Sequence, residues 1–202
     1  MHKARLVLAA LLVGVLGATS AVAATKPSPK PLTAAQKKAA ANEAARQAAQ
    51  QAAGEFVTIA KAKRQAYPKW SGETMDGKAW KSASMNGRVT VVNFWASWCG
   101  PCKAEWGELL AAAKANPKVV FVGINTMDRF ESAQDFLKEN TSPYLQVFDE
   151  RGVMMASYKG IPHGVMPTTL ILDSQGRIAA WRAGPIKEAQ LQRGIRAVLA
   201  TA

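Results

Sequence analysis

Hydrophobic and polar positions divide the chain into three textures. Leu6 to Ala18 is an uncharged apolar run. From residue 24 the chain turns to Pro, Lys, Ala and Gln, and from Trp70 it becomes short apolar blocks separated by turn residues. In this last stretch Met75-Asp76-Gly77-Lys78 signals a hairpin between short extended segments. Val89–Trp95 is almost unbroken in its apolarity, which predicts a strand buried on both faces. Ala, Leu, Glu and Lys fill Pro101–Ala115, and Asn116-Pro117 stops it, so a helix is predicted there. Val119–Ile124 predicts a second buried strand and Ser132–Glu139 a second helix. Gln146–Phe148 follows as a short strand and Val153–Tyr158 as a helical turn or two. Thr168–Leu172 and Arg177–Trp181, joined by Ser174-Gln175-Gly176, predict a closing hairpin. Residues 187–200 then place Leu191, Ile195, Val198 and Leu199 on one side of an amphipathic helix. This order predicts one α/β domain over residues 68–202, a central mixed sheet flanked by helices with a β-hairpin at its start.

Lys3 and Arg5 precede the first apolar run, and Ala21-Val22-Ala23 ends it with a small-x-small pattern. Residues 1–23 therefore read as a secretory signal, with an uncleaved membrane anchor as the alternative. Export places the working protein in the periplasm or another extracytoplasmic space, where a cysteine pair is a bridge or a redox device. Residues 24–67 carry eight basic and two acidic side chains, half of the chain's formal +12. Three prolines open this segment, and no large apolar residue lies between Thr33 and Glu55, so it reads as a solvated tether, partly helical at best. Basic character without interleaved aromatic residues, on an exported chain, argues against a nucleic-acid partner.

The sequence contains two cysteines, Cys99 and Cys102, within FWASWCGPC. A structural zinc site takes four ligands, and beyond this pair the exported chain offers His163 alone, so no metal is expected. A stabilising clasp fits poorly, because so short a loop restricts little of the unfolded chain. Reversible closure at a helix start suits the spacing. There, unpaired N–H groups and the helix dipole favour a thiolate at Cys99. Cys102, one turn on, is placed to attack a mixed disulfide formed by Cys99. Pro101 loses nothing by lacking an N–H in a first turn, and Gly100 lets a partner backbone approach. Trp95 and Trp98 flank the pair.

With WCGPC following a buried strand, the sequence resembles the thioredoxin superfamily. The phrase VVNFWASWCGPCKAE is most similar to its TlpA/ResA-like branch of exported thiol–disulfide oxidoreductases. The resemblance covers residues 68–200 and implies a thioredoxin-like fold. It implies that Pro167, in Met166-Pro167-Thr168-Thr169, is a cis-proline lying against the cysteines, and that the Met166 backbone pairs with a client strand. It implies also that Glu105 handles the proton of Cys102, with its own pKa raised by burial. Asn93 stands where thioredoxin has a buried aspartate, which hands that task to Glu105. Gly107 replaces a helix-kinking proline, and the loop from Lys159 to Met166, which holds His163, is longer than the family's. By resemblance, the clients are proteins with cysteines or disulfides, such as apocytochrome c or copper-site proteins. A membrane donor supplies electrons, and no cofactor is needed beyond the Cys99–Cys102 disulfide. Disulfide reduction is the expected direction. Oxidase or isomerase action, a thiol peroxidase and a redox-silent binding module are the alternatives.

Overall fold

The computed structural model describes residues 31–202 apart from 53, 159 and 163. The signal reading of residues 1–23 and the position of His163 lie outside these. No helix among the described residues is long and apolar enough to cross a membrane.

Helix α1 (Ala34–Ala52) comes first, followed by strands β1 (Val57–Thr58), β2 (Ser71–Thr74), β3 (Ala79–Lys81) and β4 (Thr90–Trp95). Helix α2 (Gly100–Ala115), β5 (Val120–Thr126), α3 (Phe130–Glu139), β6 (Leu145–Asp149) and α4 (Val153–Ala156) alternate after it. The chain closes with β7 (Thr168–Leu172), β8 (Ile178–Ala183) and α5 (Glu188–Leu199). All eight strands form one sheet in the order β1-β8-β7-β4-β5-β6-β2-β3. The β4–β5 and β5–β6 pairs are parallel and the others antiparallel.

Central position explains the largely apolar sequence of β4, where all six residues are buried. Strand alternation sends Val92 and Phe94 to one face, where they pack with Val122, Ile124, Leu170 and Tyr158. Val91 faces the other way, into a core completed by Leu109 of α2 and by Leu191, Ile195 and Val198 of α5. Trp95 shares that side and belongs to a smaller cluster with Trp106, Cys99 and Cys102. The predicted α5 stripe holds except at its end. Leu199, expected inside, is 50% exposed at the rim of the stripe, and Gly194 takes a buried place instead, close against Ile171 and Phe56.

Two features differ from the sequence reading. Residues 24–67 are not all tether, because the domain begins near residue 55. Phe56, Val57 and Tyr67 are buried, and Val57 pairs with Trp181 at the sheet edge. A strand of two residues leaves no periodicity to read, and its partner is far away in sequence. The segment ahead of it is also more regular than expected. The 19 residues of α1 run without interruption although none is buried. Alanine propensity supports it, and so does a capping box, in which Gln36 N–H donates to Thr33 Oγ1 and Thr33 N–H to Gln36 Oε1.

Candidate functional site

The sequence-predicted site residues come together where β4 ends and α2 begins, in the middle of the sheet. Cys99 is the N-cap of α2, and its Sγ accepts the Cys102 N–H at 3.2 Å. A sulfur in this place lies against orphan N–H groups and the positive end of the helix, which stabilise a thiolate. Cys99 and Cys102 form a disulfide and are 5% and 2% exposed. Gly100 and Pro101 are exposed between them. A Cβ at Gly100 would touch nothing within 4 Å, so the fold itself does not demand a glycine there.

The Met166–Pro167 bond is cis. Pro167 is buried, and half-buried Met166 packs against the cysteine cluster and the neighbouring core. Pro167 O accepts the Gly184 N–H, which ties the loop ahead of β7 to the end of β8. Trp98 is 60% exposed, with its indole N–H donated to Met127 O at 2.8 Å. Trp95 instead turns inward, donating to Gln146 Oε1 at 2.9 Å. Gly123 makes this possible, since a Cβ there would land on the Gln146 amide.

Glu105 is 2% exposed, one turn beyond Cys102 in α2. Its Oε1 accepts Asn93 Nδ2–H at 2.8 Å and its Oε2 accepts the Ile186 N–H at 2.8 Å. Burial pushes its pKa up to about 7, opposed in part by these two donors and by the charge of Arg182. A carboxyl poised there holds or releases a proton near neutrality. Asn93 also donates to Thr169 Oγ1 at 3.1 Å, linking the carboxyl across β4 to the strand behind Pro167.

Sequence reasoning missed Ile186, Thr169 and the residues of the 127–129 turn. Ile186 acts through its backbone, which no side-chain pattern reveals, and the others meet the site only through tertiary contact. Gly107 is exposed on α2, and a Cβ there meets nothing within 4 Å. Gly107→Ala should therefore raise stability by about 0.5–1 kcal/mol, seen as a higher urea midpoint with the exchange rate unchanged.

The family model described as the AhpC/TSA family matches residues 64–181. The thiol:disulfide interchange protein HelX of Rhodobacter capsulatus is 36% identical over 117 residues, 57% of this chain and 63% of its own length. The chain thus spans less than two thirds of that relative. The sporulation thiol-disulfide oxidoreductase A of Bacillus subtilis is 31% identical over 139 residues, 66% of this chain and 82% of its own. Among solved structures, a DsbF homologue from Corynebacterium diphtheriae superposes with a TM-score of 0.65 at 28% identity. That match covers 70% of this chain and 92% of the other.

Proposed function

The chain belongs to the AhpC/TSA family, with the thioredoxin-like fold, and on that footing we propose that it is an exported thiol–disulfide oxidoreductase that reduces disulfides of client proteins. One observation carries this reading: Cys99 at the N-cap of α2, with Cys102 facing it and Glu105 buried one turn beyond.

In the reduced protein the Cys99 thiolate attacks a client disulfide. A mixed disulfide forms, and the first client sulfur leaves as a thiolate that takes a proton. Cys102 then gives its proton to Glu105 and attacks Cys99 Sγ. The second client thiolate departs, and the protein keeps the Cys99–Cys102 disulfide. Two electrons have passed to the client, and a membrane dithiol partner returns them. Trp98, Gly100, Pro101 and the Met166-Pro167 backbone form the surface on which the client's extended chain lies. Apocytochrome c is one client class this chemistry would serve, and the relatives' names give thiol–disulfide interchange.

The reduction potential of the Cys99/Cys102 pair in a glutathione or dithiothreitol buffer tests the direction. A value of about −250 mV or lower is expected, together with insulin reduction by the dithiol form. A value above about −150 mV would make the protein an oxidant that introduces disulfides. Peroxide consumption without insulin reduction would move it to the peroxidase class.

A further inference from the structure

One buried carboxylate beside the site takes no part in these steps. Asp128, 8% exposed, lies in the turn between β5 and α3 and accepts four hydrogen bonds. They come from Ser97 N at 2.6 Å, Ser97 Oγ at 3.0 Å, Asn125 Nδ2 at 2.9 Å and Arg129 N at 2.8 Å. Two of the four tie down a residue two places ahead of Cys99. Its neighbour Met127 has φ +51°, in the left-handed region that side chains other than glycine seldom enter. In that turn the Met127 carbonyl accepts the Trp98 indole N–H. Gly152 yields the space for this, since a Cβ there would come within 2.8 Å of Met127 Cγ. The turn therefore grips both residues that lead into Cys99. An indole as exposed as that of Trp98 is not held by packing, so these bonds decide where it stands.

We propose that Asp128 is a positioning residue of the exchange site, holding the Ser97-Trp98 loop so that the Trp98 indole forms a fixed platform for a client peptide beside Cys99. The proposal rests on the thiol–disulfide reading above. The partner it fits is an extended peptide that covers the indole and borders a groove of ≈ 470 Å³ lined by Trp98, Met127, Arg129, Ser132 and Glu150 among others. A small disulfide reaches Cys99 without using the platform, whereas a peptide disulfide depends on it. The two substrates consequently separate positioning from chemistry.

The test uses the reduced protein with a cystine-bridged peptide and with hydroxyethyl disulfide, in the wild type, Asp128→Ala and Asp128→Asn. For Asp128→Ala we expect about a tenfold slower reaction with the peptide and a change within about twofold with the small disulfide. Asp128→Asn should fall between, because its amide oxygen still accepts the Ser97 N–H, and it serves if the alanine variant does not fold. Hydrogen exchange at the Trp98 indole, followed by NMR, should quicken in step with the loss. Equal loss on both substrates, no loss on either, or unchanged indole exchange overturns the proposal. A wild type that reacts with neither substrate defeats the functional reading instead, and the indole exchange still decides whether Asp128 holds the loop.

Discussion

Glu105→Gln should abolish a loss of stability that the wild-type oxidised protein suffers between pH 5 and pH 8. An unfolded glutamate titrates near 4.5, whereas burial raises the folded group to about 7. Between those values the folded protein holds a proton that the unfolded chain has released, so rising pH favours unfolding. The contribution is whole below about pH 4.5 and disappears as pH climbs through 7. Over that span it amounts to about 3 kcal/mol. Urea titrations at pH 5 and pH 8 should show this decline in the wild type, and the difference between wild type and variant isolates it from other groups. In exchange assays the variant lacks a proton acceptor for Cys102. Resolution of the mixed disulfide should slow on the order of a hundredfold and lose its pH dependence near neutrality. An unchanged pH profile together with an unchanged Cys99 titration would remove Glu105 from the mechanism.

Asp173→Ala is expected to destabilise the fold by about 3–5 kcal/mol, the usual result of leaving a buried charge without its partner. The Asp173 and Arg64 side chains are 1% and 4% exposed, and they pair at 3.2 Å. Arg177 reaches the same carboxylate at 2.8 Å. Arg64 also donates to Ile59 O and to Thr201 Oγ1, so one guanidinium joins the start of the domain to its end. Burial alone would push the Asp173 carboxyl up. Hydrogen bonds from Arg177, Arg64 and the backbone outweigh it and hold the group below its ordinary 3.8. Its sign is therefore opposite to that of Glu105. The stabilisation is present above about pH 4 and is lost as acid protonates the folded carboxylate. A fall in urea midpoint at pH 7, with early proteolysis in residues 56–67, would verify it. A variant as stable as the wild type would show that Arg64 finds solvent or another acceptor.

The contrast between these two carboxylates marks what the sequence discloses. Glu105 follows Cys102 within one helix, and its role was named through the resemblance to the thioredoxin superfamily, since its spacing alone reads as that of a solvated helix glutamate. Pro167 was likewise named through that resemblance; by itself it reads as an ordinary loop proline before an apolar strand. Arg64 counted only as one more charge in a basic tether, because its partners Asp173 and Thr201 lie more than a hundred residues on. Asp128, just ahead of α3, resembles an ordinary residue before a helix. Its hold on Ser97 exists only because β4 and β5 run parallel and finish side by side. Periodicity and helix stops are local signals, and they recovered the strands and α-helices from Ser71 onward. A two-residue edge strand, and hydrogen bonds between loops at neighbouring strand ends, leave no such signal.

An uninterrupted α1 gives the segment ahead of the domain a heading as well as a length. Nineteen helical residues extend about 28 Å, and each residue contributes about 1.5 Å and a turn of about 100°. Removing one residue from such a rod would do more than draw the reactive face closer to whatever holds the far end. It would swing that face by more than a quarter of a circle, whereas removing seven would nearly restore its bearing. In a flexible coil only the number of residues matters; here the phase of the helix matters too.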